Sequence, residues 1–124
     1  MGLLSAIGVS SKKTEDQTPK EMFMVGNPSG LMAPGNINIL SRPQVKLPDG
    51  SIATVHSMSF YDDKDGTETL VPMISPDGKL LSQDEARSLY YKTGQHLGKF
   101  DNPDDATTYA KKLHNQQAKY YGIK

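Results

Sequence analysis

The 124-residue sequence contains no cysteine and no tryptophan, and its aromatics amount to three Phe and six Tyr. Without cysteine there are no disulfides, no thiolate nucleophile and no zinc-thiolate site, although this absence does not by itself identify a compartment. Net charge is missing too, since 14 Lys and Arg balance 14 Asp and Glu. That balance gives no bulk attraction to nucleic acid or to an anionic membrane, and no segment stacks like charges into a nucleic-acid tail. Long apolar runs are absent as well: residues 1–9 are broken by Gly2, Ser5 and Gly8 and are far too short to span a bilayer. Apolar residues make up 35% of the chain, so a core spread over its whole length is not expected. The length suits one domain and leaves no room for a two-domain enzyme.

Punctuating residues are plentiful, with 11 Gly and 8 Pro. Residues 10–43 hold Pro19, Pro28, Pro34 and Pro43 with Gly26, Gly30 and Gly35 and show no sustained period of 3.6 or 2, which predicts an extended arm over residues 1–43. The opening nonapeptide lacks a basic region before its apolar residues, as a secretory signal would need, and has Ala6 where a myristoylation signal needs Ser or Thr. It reads as a short apolar plug. The rest of the arm is too apolar for a solvated linker, and its methionines suit irregular grooves. The predicted partner-binding residues are Leu3, Leu4, Ile7, Met22, Phe23, Met24, Leu31, Met32, Ile37 and Ile39. The alternative is that these residues fold back on their own domain.

Residues 44–124 predict a small α+β domain. Strands are expected over residues 44–47, 51–60 and 67–74, separated by the turns Pro48-Asp49-Gly50 and 62–66, and ended by Ser75-Pro76-Asp77-Gly78. They form a three-stranded antiparallel meander, with Ile52, Thr54, His56, Met58 and Phe60 on the core face. Pro72 lacks a ladder donor and argues for an edge position of the third strand. Ser82 and Glu85 make a capping box and Gly94 a helix stop, predicting a helix over residues 83–93 with Ala86, Leu89, Tyr90 and Thr93 buried. Asn102-Pro103 followed by two Asp opens a second helix, reaching Tyr121 and burying Ala106, Tyr109, Ala110, Leu113 and Tyr120. The economical arrangement puts both helices on one face of the sheet.

The sharpest chemical motif is Asp63-Lys64-Asp65-Gly66-Thr67, which has the DxDGT form of haloacid-dehalogenase-type phosphotransferases. That chemistry needs a doubly wound parallel sheet, and too little chain follows the motif to build one; an acidic hairpin turn accounts for the same residues. The segment also fails as a calcium loop, with Tyr61 at the first ligand position and Pro72 at the twelfth. His56, His96 and His114 lack metal-ligand spacing, and the tyrosines fall at helical spacing without an interleaved basic stripe, which points to packing. The sequence therefore assigns no catalytic residue, no metal and no cofactor.

Several blocks carry a resemblance: Gly35-Asn36-Ile37 with Arg42-Pro43, PDGSIATVHSMSF over residues 48–60, LVPMISPDGKLLS over 70–82, and YKTGQHLGKFD with YAKKLHNQQAKYY. Together, over residues 35–121, they resemble a small domain recurrent in virion-associated proteins of tailed bacteriophages and prophages. The resemblance implies a non-enzymatic virion structural protein that docks through its arm in a symmetric assembly, at the head–tail junction, in the tail or as a capsid decoration. Its implied partners are portal, adaptor, tail or capsid subunits and copies of itself, with no nucleic acid and no membrane. The alternative from another class is a host-directed or cell-wall-targeting module of the particle.

Overall fold

The computed structural model describes residues 22–123. The fold is α+β, with an antiparallel sheet and two helices. The helices form where local signals place them. Helix α1, Gln83–Thr93, starts at Ser82, whose side chain accepts from the Glu85 main chain while the Glu85 carboxylate accepts from Ser82 N–H, and stops at Gly94 in the left-handed region at φ 75°. Helix α2, Pro103–Tyr120, has Asn102 as N-cap, Pro at its first position and Asp104 and Asp105 in its first turn. No helix among the described residues is long and apolar enough to cross a membrane.

The strands depart from the expected meander. They are β1, Leu31–Pro34; β2, Val45–Lys46; β3, Ile52–Ala53; β4, Ser57–Asp62; β5, Thr67–Pro72; and β6, Gly98–Phe100. The main sheet runs β1-β6-β5-β4, all neighbours antiparallel, while β2 and β3 pair apart as a small hairpin. The long strand expected over residues 51–60 is broken where Thr54 and Val55 are both buried and His56 is exposed, so the alternation slips at that point. The edge position expected for the strand holding Pro72 is also corrected, because β5 is interior. Pro72 is its last residue, opposite Ser57, and its nitrogen faces the β6 side beyond Gly98, where that strand has not yet begun. No ladder bond is forfeited.

The two helices lie on opposite faces of the sheet, not on one. Leu70 packs in a cluster with Phe100, Ala106, Tyr109 and Leu113, on the α2 side. Its neighbour Val71 packs with Ala86 and Tyr90, on the α1 side, and successive strand residues point to opposite faces. On α2 the buried stripe ends at Gln117, with Tyr120 exposed instead. Gln117 can be buried because its amide is satisfied: it donates to Ile39 C=O at 2.7 Å and accepts from the Thr54 hydroxyl at 2.6 Å. On α1, Thr93 is exposed and Leu89 half-buried, leaving Ala86 and Tyr90 as the buried pair.

Residues 22–43 belong to this body rather than to a separate arm. Met24, Ile37 and Ile39 are buried in the main core, and Leu31 enters the sheet opposite Phe100. Met24 sulfur receives Gly35 N–H at 3.0 Å and the Tyr109 hydroxyl donates toward it at 3.8 Å, while that hydroxyl accepts from Val25 N–H at 3.0 Å. Arg42 closes the segment, donating to Thr54 C=O at 2.9 Å and Ile74 C=O at 3.0 Å. The groove that the apolar segment required is supplied by its own sheet and α2, which is the fold-back alternative.

Candidate functional site

Strand β4 is a piece of regular structure with unspent main-chain bonding capacity. It is the last strand of the sheet, paired with β5 on one side. The ladder tells which of its main-chain groups are spent. Met73 N–H donates to His56 C=O, one step beyond the Ser57–Pro72 pair, which fixes that position as a hydrogen-bonded pair. Alternation then makes Met58, Phe60 and Asp62 the residues bonded to β5 and turns the N–H and C=O of Ser57, Ser59 and Tyr61 outward. Among the described residues these outward groups have no hydrogen-bond partner.

The two edges of the sheet are built differently. Edge strand β1 is blunted by a register shift between Leu31 and Ala33 and ends in Pro34, devices that discourage pairing. Strand β4 carries six residues in unbroken register with no Pro, Lys or Gly. Its one charge, Asp62, is turned inward and is 3% exposed.

That inward carboxylate sets the geometry of the strand end. Tyr90 on α1 donates its hydroxyl to Asp62 at 2.7 Å, and Lys99 on β6 donates to the Tyr90 oxygen at 2.6 Å. Lys99 also pairs with Asp65 in the β4–β5 turn, and Asp65 accepts the Thr67 hydroxyl at 2.7 Å. Burial opposes the Lys99 charge, but the bonds to Asp65 and Tyr90 outweigh it and hold the lysine above its ordinary pKa. The Lys99 bond, with Thr67, lowers the Asp65 carboxyl, and burial raises the Tyr90 phenol. The residues of the DxDGT-like segment thus form a tied hairpin turn.

Around this turn lies an aromatic ledge. Phe60, Tyr90 and Tyr91 pack edge to face or tilted with centroids 5.3–6.0 Å apart, the Lys64 ammonium sits 5.4 Å from the Tyr91 ring centre, and Tyr91 is 50% exposed, as is Tyr61, at 64%, on the opposite face of β4. Such amphipathic rings on a rigid support are what protein interfaces favour. Near the same network His96 is buried with its Nδ1 unpartnered among the described residues, and burial with the nearby Lys99 charge pushes its pKa down to about 4. No group of three or more His, Asp or Glu among the described residues is placed to hold a metal ion.

The predicted partner-binding residues do not share a surface. Leu3, Leu4 and Ile7 lie outside the described residues. Met24, Ile37 and Ile39 are core residues, Phe23 and Leu31 are half-buried against the core, Met22 is half-buried, and Met32 is exposed. Ser57, Ser59, Tyr61 and Tyr91, which line the free edge and its aromatic surroundings, are not among the predicted residues. Their sequence signal was the short polar–apolar alternation of residues 57–60, which identifies a strand but not an edge. Compared with known protein families, with curated proteins and with solved structures, the chain matches none.

Proposed function

We propose that the chain is a non-enzymatic structural component of a tailed-bacteriophage particle, an assembly module that docks on other virion proteins and on copies of itself. The observation that supports this most directly is the β4 edge: a rigid strand with three outward-facing main-chain pairs, flanked by exposed Tyr61 and Tyr91. The sequence blocks over residues 35–121 supply the phage context, and the neutral charge suits a part packed among neighbours. Its place in the particle is the head–tail junction, the tail or the capsid surface, and the apolar residues Leu3, Leu4 and Ile7 add a second point of attachment.

Quantitative mass spectrometry of purified particles tests this reading. Hundreds of copies indicate a capsid coat, and on the order of six or twelve indicate the tail axis. Deleting residues 2–21, which leaves the described body whole, lowers incorporation if the leading segment is an attachment point. A particle that lacks the chain altogether overturns the assignment.

A further inference from the structure

We propose that β4 pairs antiparallel with the β4 strand of a second copy, about a two-fold axis at Ser59, joining two four-stranded sheets into one of eight. This rests on the assembly reading above and names the partner that takes the free edge.

The register follows from residues already placed. Outward groups must meet outward groups, so Ser57, Ser59 and Tyr61 of one copy face the same set in the other. A two-fold at Ser59 pairs Ser57 with Tyr61, Ser59 with Ser59 and Tyr61 with Ser57, using all three outward residues of each copy. On the α1 face it sets half-buried Met58 across from half-buried Phe60, apolar against apolar. Shifting the axis to Phe60 sets Met58 opposite the Asp62 carboxylate instead and brings Ser57 against Asp63 in the turn. Parallel pairing is excluded by the two-fold and would bring the two acidic turns together, a like-charge cost. The second copy is favoured over a generic partner because in this register the strand meets itself main-chain pair to main-chain pair at Ser57, Ser59 and Tyr61 and apolar to apolar at Met58 and Phe60. The opposite edge, with its bulge and Pro34, offers no such match.

The chain has no cysteine, so one introduced thiol reports the contact cleanly. In a hydrogen-bonded antiparallel pair the two Cα atoms lie about 5.5 Å apart, within the span of a disulfide. Full-length Ser59→Cys under mild oxidation is expected to give a covalent dimer, and Thr107→Cys, exposed on α2, is expected to remain monomeric. Sedimentation velocity of the unmodified chain is expected to show a dimer. Ser59→Pro, which removes an outward N–H and the Ser59 hydroxyl's bond to Glu68 but no main-chain bond to β5, weakens that dimer by roughly tenfold or more and leaves far-UV circular dichroism unchanged. Should Ser59→Pro misfold, the cysteine pair still decides the matter.

The proposal is overturned by a chain that stays monomeric to roughly 100 μM, or by a dimer that survives Ser59→Pro and does not cross-link at Ser59→Cys. It is also overturned by a dimer lost on deletion of residues 2–21, which would assign the edge to the leading segment. A dimer that forms as described by a chain absent from particles keeps the pairing and rejects the virion role.

Discussion

The Tyr90 hydroxyl and the Asp62 carboxylate meet at 2.7 Å in a nearly water-free site, and Lys99 closes the contact from the other side at 2.6 Å. One phenol thereby joins α1, the end of β4 and β6. Tyr90→Phe keeps the ring packing against Phe60 and leaves the buried carboxylate short of a donor, so the expected loss is about 1–3 kcal/mol of unfolding free energy. Urea denaturation followed by circular dichroism measures it, and an unchanged midpoint would show that the contact contributes nothing net.

Met24 and Met32 make a matched pair, one 1% and the other 55% exposed. Met24→Ala removes a side chain wedged against Tyr109 and Gly35 and should cost about 2–5 kcal/mol. Met32→Ala should stay within about 0.5 kcal/mol. Equal, small effects in thermal melts would return residues 22–43 to the status of an arm.

Gly35 passes so close to the neighbouring strand that an added Cβ would lie 2.5 Å from Leu97 C=O. The approach is held by Asn36, which donates its main-chain N–H to His96 C=O at 3.0 Å and accepts His96 N–H on its side chain at 2.8 Å. Gly35→Ala must push this seam apart, at a cost of about 1–3 kcal/mol. Faster amide exchange at Asn36 and His96 is the expected signature, and protected amides in the variant would contradict it.

The contrast between what local sequence disclosed and what it did not is sharp in this fold. Both helices were legible to within a residue or so, because Ser82, Glu85, Gly94, Asn102 and Pro103 act within one turn of the backbone they cap. Strands β1 and β6 were not, since each is short and exists through pairing between distant segments such as Leu31 with Phe100 and Leu70 with Gly98. Gln117 was overlooked for the same reason: a polar residue in a buried stripe is tolerable only once Thr54 and Ile39 arrive to satisfy it. The apolar character of residues 22–40 was read correctly as a demand for a groove, but composition carries no information on whose groove it is. Which strand lies at the edge is likewise decided by strand order, and the outward-facing positions Ser59 and Tyr61 stayed hidden with it.

His96 ties stability to pH. Burial, with the Lys99 charge, lowers its pKa to about 4, against about 6.5 for an unfolded histidine. The folded state therefore holds the ring neutral while the unfolded chain takes up a proton, and stability is full above pH 6.5 and falls as the pH drops toward 4. Screening at the partly solvated loop trims the full linkage to about 2 kcal/mol. The Asp65 carboxyl, itself lowered by Lys99, adds a separate loss at still lower pH, beneath the histidine window. Chemical denaturation between pH 7 and 4.5 should show this decline in the unmodified chain. His96→Phe keeps an aromatic edge against Tyr90, whose ring centre lies 6.4 Å away, and removes the titrating group. A variant with the same pH slope as the parent would place the acid sensitivity elsewhere.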